Sequence, residues 1–367
     1  MIDTRLIMLE GMAGTGKTTN SYFLQIQLER NKNKVKWIHE VARPHLTSFF
    51  DEAVFTYEEY NAFLKKYPET SDILNKIAIF RKSTVGIDLL EIEWNYLNII
   101  GEQVYQELKA FDAWNYPLDR YKEIAFEKWA YFVETALNNK NEIYIIDSSI
   151  FQFQIFAFLF KNRPYEELEK FVRSLFDIIK PLNPCLIYFY RENTEETIAF
   201  LEQDRGIEFF DWIWERDKLQ PYYQDKPKGA ERFKQFSRDY AKFAKKLFDM
   251  ADCEKLSIEI SRGDWKKYES EMLSFLGIEY IISLEFFPPN GIYKNERLNF
   301  EIVVDGLTIK DPNGDIRELI AKSEFEFYVE RLPTVLRFEP GQIIITGVQI
   351  PERWTTAGTI YKKIVNS

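Results

Sequence analysis

Gly11-Met12-Ala13-Gly14-Thr15-Gly16-Lys17-Thr18 satisfies the pattern G-x-x-x-x-G-K-[ST] at every fixed position, and that pattern carries a mechanism. The glycines let the backbone curl with its N–H groups turned inward. A helix beginning at the end of the loop adds a positive terminus, so main chain and dipole together bind a polyphosphate. Lys17 then reaches the β- and γ-phosphates, the Thr18 hydroxyl is placed to ligate Mg²⁺, and the binding segment runs from Gly11 through Thr19. With ordinary residue usage the fixed positions coincide by accident in roughly one chain in a hundred of this length. Three further places gather groups suited to phosphate chemistry. His39-Glu40-Val41-Ala42-Arg43-Pro44-His45 holds both histidines of the chain with a carboxylate and an arginine; Asp147-Ser148-Ser149 follows an apolar run; Arg191 and Arg205 flank a helical stretch.

Each of these groups needs an element to hold it. Arg5-Leu6-Ile7-Met8-Leu9 reads as a buried parallel strand, and residues 19–28 place Tyr22, Phe23 and Ile26 at helical spacing. Val35-Lys36-Trp37-Ile38 is a short second strand, so the cluster from His39 to His45 stands at a strand's C-terminal end, where open α/β sheets hold ligands. Residues 47–139 read as mostly helical, with helices expected at 57–66, 71–80, 88–108 and 121–137. Within them Ile87, Leu90, Trp94, Leu97 and Val104 repeat at spacings of three, four and seven. Arg81 and Lys82 fit a basic last turn complementing a helix dipole. Glu142-Ile143-Tyr144-Ile145-Ile146-Asp147, Cys185-Leu186-Ile187-Tyr188-Phe189-Tyr190 and Lys255-Leu256-Ser257-Ile258-Glu259-Ile260 are further strands. Helices at 194–205, 232–250 and 265–276 separate or follow them, the last stopped by Gly277. This alternation calls for an α/β fold with a parallel sheet and helices on both faces. After Gly277 the period changes: Leu298, Phe300, Ile302 and Val304 alternate with polar residues and run into Asp305-Gly306, a hairpin signal, and Phe325, Phe327 and Val329 alternate again. Only 316–322 reads as helical there. The expected organisation is a P-loop α/β domain over 1–277 and a small antiparallel β domain, sandwich or barrel, over 278–367.

The totals agree. A length of 367 residues suits two cores, and 46% hydrophobic with 29% charged residues is the composition of a folded chain. Two cysteines, Cys185 and Cys253, make no disulfide framework and have no metal-ligand spacing, which suits a reducing cytoplasm. No apolar run approaches the ~20 residues needed to cross a bilayer, so no membrane partner is expected. A formal net charge of −10 opposes binding to nucleic-acid polymers, which requires Lys and Arg against phosphates. Any nucleotide bound is expected to be free.

The order of elements through Gly277 resembles the thymidylate kinase and deoxynucleoside kinase group of P-loop phosphotransferases. The resemblance rests on Leu9-Glu10-Gly11-Met12-Ala13-Gly14-Thr15-Gly16-Lys17-Thr18-Thr19, on Glu40 after the second strand, on Asp147-Ser148 after the third, and on Arg205-Gly206 where those enzymes carry a lid. It implies an ATP-dependent, Mg²⁺-requiring transfer to a nucleoside, nucleotide or similar acceptor. Lys17 neutralises the transferring phosphate, Thr18 and Asp147 hold the ion, Glu40 accepts the 5′-hydroxyl proton, Arg43 and His45 hold the acceptor, and Arg191 and Arg205 clamp phosphates.

Each role has a plainer competitor. Asp147 also suits a helix N-cap, Glu40 and Arg43 can pair in a loop, Arg205 ends a helix where a cation is favoured anyway, and Arg216 competes for the lid position. Those kinases follow the second strand with Arg-Glu-Pro-Gly-Gly and the third with Asp-Arg and an aromatic. Here the places read His39-Glu40-Val41-Ala42-Arg43-Pro44 and Asp147-Ser148-Ser149. The β domain has no counterpart in the resemblance; acceptor recognition, homodimer formation and protein contact are all open to it. A second reading is an ATPase or GTPase switch signalling through that domain, although no Asp-Glu pair follows the third strand to activate water.

Overall fold

The computed structural model describes residues 3–224 and 229–364, apart from the side chain of residue 230. The elements that build the first part of the chain are β1 (Leu6–Gly11), α1 (Lys17–Arg30), β2 (Lys34–Ile38), β3 (Glu52–Thr56), α2 (Tyr57–Lys66), α3 (Ser71–Ile77), β4 (Ile79–Phe80) and β5 (Thr84–Asp88). They continue with α4 (Leu89–Asn95), α5 (Leu97–Ile100), α6 (Glu102–Lys109), α7 (Leu118–Asn138), β6 (Glu142–Asp147), α8 (Gln154–Phe160), α9 (Tyr165–Ile179) and β7 (Pro184–Tyr190). Then follow α10 (Thr194–Arg205), α11 (Ile207–Asp217), α12 (Ala230–Met250), β8 (Glu254–Glu259) and α13 (Trp265–Leu276).

β1, β2, β6, β7 and β8 form one parallel sheet in the order β2-β6-β1-β7-β8. A parallel strand covered on both faces must be apolar on both, and β1 is buried along its whole length. Alternation then sorts its side chains. Leu6 and Met8 enter a core with Trp129 and Phe132 of α7, Phe171 of α9 and Tyr240 of α12, whereas Ile7 and Leu9 enter one with Leu24 and Leu28 of α1 and Met272 of α13. Helices therefore lie on both faces, and the C-terminal strand ends open along one edge of the sheet.

The stretch read as mostly helical between β2 and β6 contains a second sheet. β3, β5 and β4 pair antiparallel in that order, with Val54 opposite Gly86. Ile87 belongs to β5, and the expected helix at 88–108 is three short helices, interrupted at Tyr96 and at Gly101. Of the spaced residues, Ile87, Leu97 and Val104 meet in one core with Phe55, Tyr60 and Leu108, while Leu90 and Trp94 stay outside it and Leu89 and Ile92 enter in their place. Arg81 is not a helix-terminal cation: it is buried and ion-paired with Glu52, which Lys128 of α7 also contacts. Gly86 is glycine because a Cβ there would sit 2.3 Å from a Glu52 carboxylate oxygen.

The remaining strands are β9 (Gly291–Asn295), β10 (Phe300–Asp305), β11 (Thr308–Lys310), β12 (Ile316–Ala321), β13 (Glu326–Val329), β14 (Thr334–Glu339), β15 (Gln342–Gly347) and β16 (Ile360–Lys363). They close into an eight-stranded antiparallel barrel, β16 pairing back onto β9. The segment expected to be helical at 316–322 is β12; its Leu319 and Ala321 point into the barrel, and pairing with β11 and β13 overrides local helix preference. The interior is filled by Tyr293, Phe327, Phe338, Trp354, Tyr361 and aliphatic side chains, as barrels of this strand number are. One outer face rests on α1: Tyr328 donates to Glu29 at 2.6 Å and Lys322 pairs with Glu29 at 2.7 Å. Another reaches the loop after β2, where the Arg43 N–H donates to the Gln349 carbonyl at 2.8 Å and Val41 packs against the barrel core.

Candidate functional site at the phosphate loop

β1 ends on Gly11, and the chain turns through five residues into α1, which begins at Lys17. Gly11 has φ 149°, and a Cβ there would lie 2.4 Å from the Phe189 carbonyl oxygen of β7. Gly16 caps α1 in the left-handed region at φ 87°, and its Cβ would lie 2.8 Å from the Trp265 indole at the start of α13. Neither position takes a side chain without backbone movement. On the other flank, Leu201 and Phe200 of α10 lie against Gly14.

Lys17 is buried, and its ammonium donates to the Gly11 carbonyl at 2.8 Å and the Met12 carbonyl at 3.0 Å. Burial pulls its pKa down; the negative charges of Glu40, Glu10 and Asp147 pull it back up, and the positive charge of Arg205 adds to the depression. The carboxylates at 40 and 147 and the arginine at 205 thus come within electrostatic reach of the loop lysine, although they are far apart in the chain.

Asp147 is the last residue of β6 and stands opposite Leu9 of β1. It is fully buried, and neither carboxylate oxygen makes a hydrogen bond of good geometry to a described residue. Burial lifts its pKa to about 6, countered by the charges of His39 and Lys17 and by the Thr18 hydroxyl, while Glu40 raises it. Because buried carboxylate oxygens are normally satisfied, this pair asks for a partner. A carboxylate beside a threonine hydroxyl is a hard-oxygen donor pair, which fits Mg²⁺ completed by waters and phosphate oxygens. Among the described residues, no group of three or more His, Cys, Asp and Glu could hold a metal ion through side chains alone.

Glu40 lies two residues beyond the end of β2 and is half-buried. It accepts from the Gln152 side-chain amide at 3.2 Å. Burial favours its neutral form, but Lys17, His39, Gln152 and Ser148 outweigh burial and hold its pKa below the ordinary carboxylate value. It is ionised at neutral pH and able to accept a hydrogen bond from a hydroxyl.

Arg43 and His45 are not gathered with this group; both are engaged in their own loop. Arg43 is buried, ion-paired with Asp51 at 2.6 Å, bonded to the Phe50 carbonyl and stacked on the Phe50 ring. The His45 Nδ1 accepts from the Thr47 and Ser48 N–H groups at 3.1 and 2.9 Å, which leaves the proton on Nε2. Burial, helped by Lys128, keeps the ring neutral by pushing its pKa well down. Arg191 donates to the Thr197 hydroxyl at 3.3 Å and stacks on Phe200, one side chain removed from Gly14. Arg205 ends α10, half-exposed over the Phe209 ring. Arg216 is held bidentately by Asp217 at 2.6 and 2.7 Å. Of the two lid candidates, Arg205 is the one whose charge reaches Lys17.

Three residues at the site escaped the sequence reading. Trp265 leaves 39% of its surface exposed while covering Gly16. Gln152 joins the turn after β6 to Glu40. Glu10 is fully buried at the penultimate position of β1, accepting from the N–H groups of Ile150 at 2.7 Å, Phe151 at 3.0 Å and Gln152 at 3.3 Å. Burial raises its pKa to about 7 against the pull of those amides and Lys17. An acid inside an otherwise apolar central strand was the available signal.

No protein-family model matches the chain, and no curated protein is similar to it in sequence. Among solved structures it is similar to the YorR protein of Bacillus subtilis, determined in complex with phosphorylated GDP. The match has 11% identity and a TM-score of 0.35, and spans 74% of this chain and 95% of that one.

Proposed function

We propose that the chain is an ATP-dependent, Mg²⁺-requiring phosphotransferase whose acceptor is a nucleoside, nucleotide or similar small molecule. The observation that carries this reading is the convergence of Glu40, Asp147 and Arg205 on Lys17 of the phosphate loop. Phosphoryl transfer needs reactants held in line and charge neutralised on the migrating group, with little covalent help. In this reading the loop amides and Lys17 hold the β- and γ-phosphates, and Arg205 adds positive charge as α10 approaches. Thr18 and Asp147 are the residues that would hold Mg²⁺, which when bound draws charge from the phosphate oxygens. Glu40, ionised, orients the acceptor hydroxyl and takes its proton. The exposed indole of Trp265 offers a stacking face for the donor base beside the helix N-terminus that binds the phosphates.

The barrel, taken as a separate domain over 278–367, serves here as a brace: its bond to Arg43 and its contact with Val41 hold the loop that carries Glu40. No described helix is long and apolar enough to cross a membrane, both cysteines are free, and a cytoplasmic setting is part of the same reading. The test is ADP release with ATP, Mg²⁺ and a panel of nucleosides and nucleoside monophosphates. Acceptor-dependent release is expected. Slow release that no acceptor accelerates would instead favour a nucleotide switch working through the barrel.

A further inference from the structure

β1 presents residues 6, 8 and 10 to the face covered by α7, α8, α9 and α12. Leu6 and Met8 are apolar there, as the packing requires, and Glu10 is a carboxylate. Its surroundings give little compensation: Tyr188 of β7 and Tyr240 of α12 are close enough for its charge to raise their pKa values, and Lys17 is the cation that acts on it among the described residues. A buried carboxylate without strong partners is costly. Glu10 finds them in three consecutive main-chain amides, those of Ile150, Phe151 and Gln152, in the helical turn that follows Ser148. These are donors at a helical start, with no carbonyl of their own turn to bond.

The residues so held frame the site. Asp147 and Ser148 precede the clamped amides with Ser149 between, and the Ser148 N–H donates to the Leu9 carbonyl at 3.0 Å. Gln152, the third residue held, donates through its side chain to Glu40. Glu40 itself stands two residues beyond the end of β2, outside the strand pairing that runs from β2 through β6 to β1. One path that ties its side chain to the phosphate loop runs from Glu10 at the root of the loop, through the amides of 150–152, to the Gln152 side chain and on to Glu40.

We propose that Glu10 is a positioning residue: it clamps the turn after β6 and, through Gln152, sets Glu40 in place over the phosphate loop. The kinetic part of this rests on the phosphotransferase reading; the clamp does not. The test uses the full chain carrying Glu10→Gln, which keeps size and one carbonyl oxygen but turns an NH₂ toward the Gln152 amide.

Two readouts need no activity. Exchange of the Gln152 main-chain amide should rise at least about tenfold in Glu10→Gln, since the N–H then faces an NH₂ instead of the carboxyl oxygen that accepts it. The Gln152 side-chain amide resonance should move toward its position in Glu40→Ala. The third readout is kinetic. Turnover should fall about tenfold to a hundredfold, the scale of a small misplacement, with the KM for ATP changed less than about twofold. Gln152→Leu should do the same, and the double variant should be no worse than either alone, because both break one path. Unchanged exchange in Glu10→Gln overturns the clamp; an unmoved Gln152 side-chain resonance, or additive losses in the double variant, overturns the link to Glu40. Should the wild-type chain transfer phosphate to no acceptor, the functional reading fails, and the two spectroscopic readouts still decide the proposal.

Discussion

Replacing Asp147 by Asn separates stability from function in one substitution. The Asp147 carboxyl is fully buried and titrates near pH 6, against 3.8 for an unperturbed group, chiefly because of burial. A raised acid pKa means that the carboxyl's contribution to stability is complete below the unfolded value and lost as pH rises through the folded one. The folded and unfolded values lie about two pH units apart, a penalty on the order of 3 kcal/mol at pH 7.5 that shrinks as the pH falls through 6 toward 3.8. Asn is neutral at every pH and nearly the same shape, and no well-formed hydrogen bond to a described residue is lost with the carboxylate oxygens.

Asp147→Asn should therefore stabilise the fold at pH 7.5 by about 3 kcal/mol, the gain shrinking steadily on acidification. Urea unfolding of both proteins from pH 4 to pH 7.5 measures this. In the same variant the stabilisation conferred by Mg²⁺ and ATP should vanish; for the wild type it amounts to about 2.7 kcal/mol at a hundredfold excess over Kd. A variant less stable than wild type throughout the range would mean instead that the carboxylate is held by structural bonds and needs no cation.

Glu40→Gln should lower turnover by about 10²- to 10⁴-fold with the KM for ATP nearly unchanged, the signature of a lost proton acceptor; steady-state kinetics with the best acceptor of the panel would show it. Trp265→Ala should weaken ATP binding by roughly tenfold, the scale of one lost stacking contact, while leaving inhibition by inorganic tripolyphosphate unaltered. Equal loss for both ligands would move Trp265 from base contact to loop support. Lys17→Met should abolish ATP binding in calorimetry and lower the melting temperature at pH 7.5, since it leaves the buried carboxylates of Glu10, Glu40 and Asp147 without the cation that offsets them. Tyr328→Phe, which removes the hydroxyl bonded to Glu29, should cost about 1.5–3 kcal/mol of stability, and would cost almost nothing were the barrel only loosely apposed to α1.

Much of the architecture could be read along the chain, and the failures are local in origin. β1, β6 and β7 are mostly apolar runs and the edge strands β2 and β8 mix apolar with polar residues, and all five stand within one or two residues of where the pattern puts them. The small sheet of β3, β4 and β5 is hidden in the pattern because Glu52–Thr56 and Thr84–Asp88 run without a turn into the helices that begin at Tyr57 and Leu89, so the helical spacing extends over them. β12 was misread because Ile316-Arg317-Glu318-Leu319-Ile320-Ala321 suits either period, and barrel closure decided the matter. Asp147 was placed correctly beside the phosphate-loop strand because a parallel neighbour and its last residue follow from sheet topology. Arg43 and His45, chosen for residue type, turned out to be engaged inside their loop, where side-chain type says nothing about direction.

The glycine turn between β1 and α1, with Lys17 at the helix start, is legible along the chain because its residues are contiguous and their conformations follow from local sterics and hydrogen bonding. The helix-covered parallel sheet is legible too, because periodicity is local information. Folding in three dimensions alone brings Glu10 against three amides from residues 150–152, joins Gln152 to Glu40, puts the charge of Arg205 within electrostatic range of Lys17, and closes the last eight strands on themselves. Those facts join residues tens to hundreds of positions apart. What a buried charge does depends on the partners that packing brings to it, and that choice belongs to the whole fold.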